Sequence, residues 1–100
     1  MKPFRWYHEK NETLKLERSI SFEEIVIVLA IEADGLLDEL LHPNTEKYPN
    51  QSVLVVALEG YVYLVPYVAE TDYYFLKTVI PSRKATRDYL QRNSTDEKTG

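Results

Sequence analysis

A phosphate group would be held best, in this chain, by the residues after Pro81. Between Pro81 and Arg92, Arg83, Lys84, Arg87 and Arg92 stand against a single acid, Asp88. Arg83 and Arg87 are four apart and share one face of a helix. A guanidinium grips phosphate through two parallel N–H bonds, and Ser82 with the first-turn amides adds donors at the positive end of the helix dipole. This run is either a solvated helix face or an anion-binding patch. A second set is aromatic. Of eight tyrosines, Tyr61, Tyr63 and Tyr67 fall on one face of a strand, because side chains two apart share a face. Lys77 follows on the next strand. Such a face is either a half-exposed strand surface or a platform for docking a partner or stacking bases. A third set is the loop with His42, Glu46 and Lys47. Histidine is the natural proton-transfer group near neutral pH, although an isolated loop histidine is also an ordinary surface residue. His8 and His42 have no partners at metal-ligand spacing, so no metal is expected. Three glycines leave no room for a glycine-rich phosphate loop.

The elements that must position these groups can be read from the same chain. Phe4 to Tyr7 is an opening strand. Asn11 caps a first helix running to Arg18, with Leu14 inward. Ser21 and Glu24 form a capping box, and Ile20 and Ile25 a hydrophobic staple. The helix they open carries apolar residues at helical spacing from Phe22 to about Ala33, and Gly35 ends it. Leu36 to Leu41 reads as an edge strand and His42 to Gln51 as a loop. Ser52 to Leu58 is apolar on both faces, as a central strand is. Glu59-Gly60 turns the chain into Tyr61 to Val68, where Pro66 marks a bulge or an edge. Tyr73 to Ile80 returns. Ser82 caps a last helix with Ala85, Tyr89 and Leu90 on its apolar side. Val62, Leu64 and Val68 are expected to pack under the helices, which leaves the tyrosine face outward.

The result is one α+β domain over residues 1–92, with 93–100 as a polar tail: an antiparallel sheet of about four to five strands, two N-terminal helices and one C-terminal helix. At 100 residues with 44% apolar and 28% charged residues, the chain holds one core. The absence of cysteine fits a reducing compartment. The N-terminus is read as lacking a signal peptide, and no apolar run reaches the roughly 20 residues of a membrane helix. The net charge of −4 is unusual for a general nucleic-acid binder. It is unevenly spread, with nine acids between Glu12 and Glu46 against Lys15 and Arg18.

From Phe4 to Leu90 the order of parts resembles the BrnT family, the toxin halves of bacterial toxin–antitoxin pairs. The residues that carry the resemblance are Phe4-Arg5-Trp6, Lys10-Asn11, Ser21-Phe22-Glu23-Glu24, the Gly60 hairpin and the ending Ser82-Arg83-Lys84-Ala85-Thr86. The resemblance implies a RelE-like fold, a cytoplasmic setting and a metal-independent endoribonuclease without cofactors. It also implies a ribbon-helix-helix antitoxin as cognate partner, through which alone the pair meets operator DNA. In such chemistry the RNA 2′-hydroxyl attacks its own phosphate, giving a cyclic phosphate and a free 5′-hydroxyl. A base, a cation and an acid are needed. By resemblance Arg83 is the phosphate clamp and Lys84 its basic neighbour, with Lys77, Tyr67 and His42 as further catalytic candidates. Arg87, Lys47, Tyr63 and Ser82 are candidates for substrate binding. The family's arginine at the start of the central strand is here Gln51 or Ser52. One lost charge-assisted contact of about 1.5–3 kcal/mol slows cleavage by roughly one to two powers of ten. The acidic balance and that missing arginine favour a second reading, a non-enzymatic module docking a partner through the tyrosine face.

Overall fold

The computed structural model of the protein describes residues 2–31 and 35–91. Helix α1 (His8–Arg18) is mostly polar, with Leu14 and Asn11 buried on its inner side and Leu16 exposed. It ends at Ser19, whose φ of 54° is left-handed and whose N–H donates back to the Leu14 carbonyl. Asn11 does not cap this helix, which starts earlier, at His8. It sits one turn inside, where a buried amide must find partners. Its Oδ1 accepts from the Phe22 N–H at 2.8 Å and its Nδ2 donates to Glu23 Oε1 at 2.7 Å. Asn11 thus satisfies an orphan donor of the next helix, α2 (Phe22–Ile31).

Ser21 opens α2 as expected. Its Oγ accepts from the Glu24 N–H at 3.2 Å and donates to the Glu24 carboxylate at 3.1 Å. Ile20 and Ile25 are buried in the same core cluster. The expected far end of this helix, at Ala33, lies outside the described residues, as do Arg92 and the 93–100 tail.

Among the described residues the sheet holds six strands: β1 (Phe4–Arg5), β2 (Leu36–Leu41), β3 (Gln51–Leu58), β4 (Tyr61–Ala69), β5 (Tyr74–Leu76) and β6 (Ile80–Pro81). Their order is β1-β5-β4-β3-β2, with β6 on the outer edge of β4. Most pairs are antiparallel, but β1 runs parallel to β5, so the sheet is mixed rather than purely antiparallel. The expected strand from Tyr73 to Ile80 divides into β5 and β6, so there are more strands than the expected four to five. Pro66 lies between the two stretches of β4 that they pair with. Its register with Val53 is regular, without a bulge. The bulge in the sheet falls instead on β2, between Leu36 and Asp38. The β3–β4 hairpin turns on Glu59 and Gly60, with φ of 52° and 79°, the left-handed pair of a type I′ turn.

Both faces of the sheet are covered, but by different elements. Leu54, Val56, Val65, Tyr67 and Leu76 pack with α1 and α2 residues Leu14, Phe22, Ile25 and Val28. Val55 and Val62 on the other face pack with Ala85, Tyr89 and Leu90 of the C-terminal helix. That helix is α3 (Arg83–Thr86), extended by a π-helical stretch over Arg87–Gln91. The tyrosine face of β4 is therefore inward, toward the two N-terminal helices, and the valine face lies under the last helix. Alternation along β4 fixes which residues share a face but not which face the longer helices cover.

Candidate functional site

The basic helix is anchored by its small residues. The Ser82 Oγ accepts from the Ala85 N–H at 3.0 Å, the N-cap read from the sequence. The Ser82 N–H donates to the Val62 carbonyl at 3.0 Å. The Thr86 hydroxyl donates to the Ser82 carbonyl at 2.7 Å and accepts from the buried Val62 N–H at 2.9 Å. Ala85 is buried against Val55 and Val62. Three of the five residues in Ser82-Arg83-Lys84-Ala85-Thr86 thus fasten the helix to β4. The other two, Arg83 and Lys84, are exposed and have no carboxylate partner among the described residues. Arg87 is exposed too and lies 3.6 Å from Asp88. The Ser82 hydroxyl, expected to bind substrate, serves as the cap of this helix.

The remaining sequence candidates do not join this cluster. Tyr67 and Tyr63 lie on the opposite face. Tyr67 is also five residues beyond Val62, where the helix is fastened, or roughly 17 Å at about 3.3 Å per strand residue. Its pairing with Leu76 places leucine, not Lys77, beside it. Lys77 is exposed where β5 ends, its N–H donating to the Pro66 carbonyl. His42 and Lys47 lie in the β2–β3 loop, at the Tyr67 end of the sheet. The His42 ring is 4.5 Å from that of Tyr48, its Nδ1 accepts from the Asn44 N–H at 3.0 Å, and the Lys47 ammonium lies 5.3 Å from the Tyr48 ring centre. These contacts stiffen a loop and do not aim toward Arg83.

Tyr67 has a site of its own. Its hydroxyl donates a short hydrogen bond to Glu39 Oε1. Burial and then that carboxylate push the phenol up to about 12, with Ser52 opposing. Burial, followed by the charge of Glu24, raises Tyr63 as well. Phenols shifted this way are poorer acids than usual at neutral pH, which counts against Tyr67 as a proton donor in cleavage. Tyr67, Glu39 and Tyr74 line a cleft of about 250 Å³ whose other walls are Phe4, Leu29, Leu36 and Leu54. Glu39 and Asp38 are the two charges that interrupt the apolar run from Leu36 to Leu41. A signal was present: Asp38 and Glu39 are adjacent, so alternation sends one to each side of the sheet. Asp38 accepts from the Tyr89 hydroxyl at 2.8 Å on the C-terminal-helix side. Glu39 faces the cleft.

Among the described residues, no three of His, Cys, Asp and Glu gather as a metal site would require. No helix among them is long and apolar enough to cross a membrane. No protein-family model, curated protein or solved structure matches the chain.

Proposed function

We propose that this chain is the toxin of a bacterial toxin–antitoxin pair, of the BrnT kind with a RelE-like fold, and acts on RNA through its C-terminal helix. The supporting observation is the pair Arg83 and Lys84, exposed and unpaired on a helix that Ser82, Ala85 and Thr86 fasten to β4. The fastened helix presents both cations from a fixed backbone, and Arg83 can take two phosphate oxygens at once. The same side of the sheet carries Val53, Pro66, Val68 and Phe75, only partly covered, with Arg5 beside Phe75. That strip offers apolar contact to bases of a strand whose phosphates lie on the helix. In cleavage, Arg83 and Lys84 stabilise the charge that builds on the phosphate as the 2′-hydroxyl attacks. The cognate antitoxin acts by covering these cations, and the protein works in the cytoplasm.

A second reading, a binding module without chemistry, is favoured by one observation. Of the proton-transfer candidates, His42 lies in the loop at the far end of the sheet, Tyr67 lies on the other face and Lys77 is exposed at the end of β5. Induced expression of the chain alone, beside the double variant Arg83→Ala/Lys84→Ala, separates the readings when combined with RNA incubated with purified protein in chelator. The toxin reading expects growth arrest by the wild type, relief in the folded variant, and RNA ends bearing 2′,3′-cyclic phosphate. Arrest without RNA cleavage supports the binding module. Unimpaired growth with folded, soluble wild-type protein rejects the toxin.

A further inference from the structure

The cleft beside α2 combines features that together recognise a cation. The Tyr67 and Tyr74 rings meet nearly at right angles, 86° with centres 5.7 Å apart, and Phe4 lies 5.5 Å from Tyr74. Aromatic faces set at an angle attract an ammonium through their quadrupoles, and better when water is excluded. Glu39 places a carboxylate in the same cleft, yet no cationic side chain among the described residues pairs with it. Tyr67 orients that carboxylate by donating to one oxygen, which leaves the other for a ligand. Leu29, Leu36 and Leu54 supply apolar walls for methyl or methylene groups. The Lys2 ammonium, which donates to the Glu70 carbonyl, sits 4.5 Å from the Tyr74 ring centre, so this ring already accepts a cation at its face.

From these features we infer that the Phe4–Tyr67–Tyr74 cleft, closed by Glu39, is a binding site for an alkylammonium group, methylated or bearing a short chain. The volume of about 250 Å³ suits a group of that size and not a nucleotide. The site lies on the α1/α2 side of the sheet and is independent of the RNA reading, so each can fail without the other. An alkylammonium group reaches the cleft either as a free amine or as a side chain of a partner polypeptide.

The test uses choline and its neutral carbon isostere, 3,3-dimethyl-1-butanol, added to the whole chain and followed by two-dimensional NMR. The expected result is saturable shifts around Phe4, Tyr67 and Tyr74 with choline, and binding at least about tenfold weaker for the isostere. Glu39→Gln keeps the shape and removes the charge. It is expected to weaken choline about tenfold and leave the isostere unchanged. Tyr74→Leu keeps the wall apolar and is expected to weaken choline alone. Unchanged circular dichroism and melting of both variants guard against loss of fold. A trimethyl-lysine amide that binds tighter than choline assigns the source to a polypeptide, and the reverse order to a free amine. Equal binding of choline and the isostere, or no shift at about 50 mM choline, overturns the inference.

Discussion

A phenol that donates to a carboxylate in a mostly buried place keeps its proton longer than one in water. For Tyr67 the shift, from 10.0 to about 12, fixes a sign. Below about 10 the folded and unfolded chains both hold this proton, and the hydrogen bond to Glu39 contributes in full. Between about 10 and about 12 the unfolded chain has released it while the folded chain retains it, so stability falls as pH rises through this window. Tyr63 and Tyr89 are raised as well, Tyr89 mainly by its hydrogen bond to Asp38, so the informative quantity is a difference. Urea midpoints of the wild type are expected to fall more steeply across this range than those of Tyr67→Phe. Parallel slopes for the two proteins would contradict the assignment. The carboxylate partner of this phenol went unrecognised in the sequence because hydrogen-bond partners 28 residues apart leave no local spacing to read.

Local signals read well where the physics is local. The capping box at Ser21 and Glu24, the Glu59-Gly60 turn and the Ser82 cap each depend on neighbours within a few residues, and all three appear where their residues stand. Nonlocal choices did not read. Asn11 reaches to Phe22, β1 pairs with β5, and the longer helices took the tyrosine side of β4. Each depends on which pieces of the chain meet, and periodicity is silent on that. For α3, the decisive contact is the threonine hydroxyl on the Val62 N–H. Thr86→Val is nearly isosteric but leaves that buried donor unpaired, and is expected to lower unfolding free energy by about 1–3 kcal/mol. Thr86→Ser retains the oxygen and is expected to lose much less. Chemical denaturation of the pair checks this, and equal midpoints would mean that the remaining contacts of Ser82, Ala85 and Tyr89 hold the helix.

Among the described residues, the two sides of the sheet differ in charge. Glu9, Glu12, Glu17, Glu23 and Glu24 outnumber Lys10, Lys15 and Arg18 on α1 and α2, while Arg83, Lys84 and Arg87 stand with a single acid, Asp88, on the C-terminal helix. On the proposed RNA reading, a net charge of −4 does not describe the field the strand would meet, because the acidic side would repel it and the basic side would receive it. Two phosphates neutralised by Arg83 and Lys84 predict a dependence of log K on log salt of about −0.7 for each. Replacing both by alanine is expected to flatten the slope by about 1.4, read by fluorescence anisotropy with a short RNA. An unchanged slope would place the RNA elsewhere.

The parallel pairing of β1 with β5 also governs the order in which the protein can be completed. Phe4 leaves the ribosome early, but its partner Tyr74 is made 70 residues later. At about 5–20 residues per second, the first strand waits several seconds for its place. Over that interval Phe22 and Ile25 lack the sheet that later covers them. The nascent chain therefore closes its core only after Tyr74 and Phe75 have emerged. A ribosome that stalls before Leu76 would release a product with sticky helices and no finished sheet.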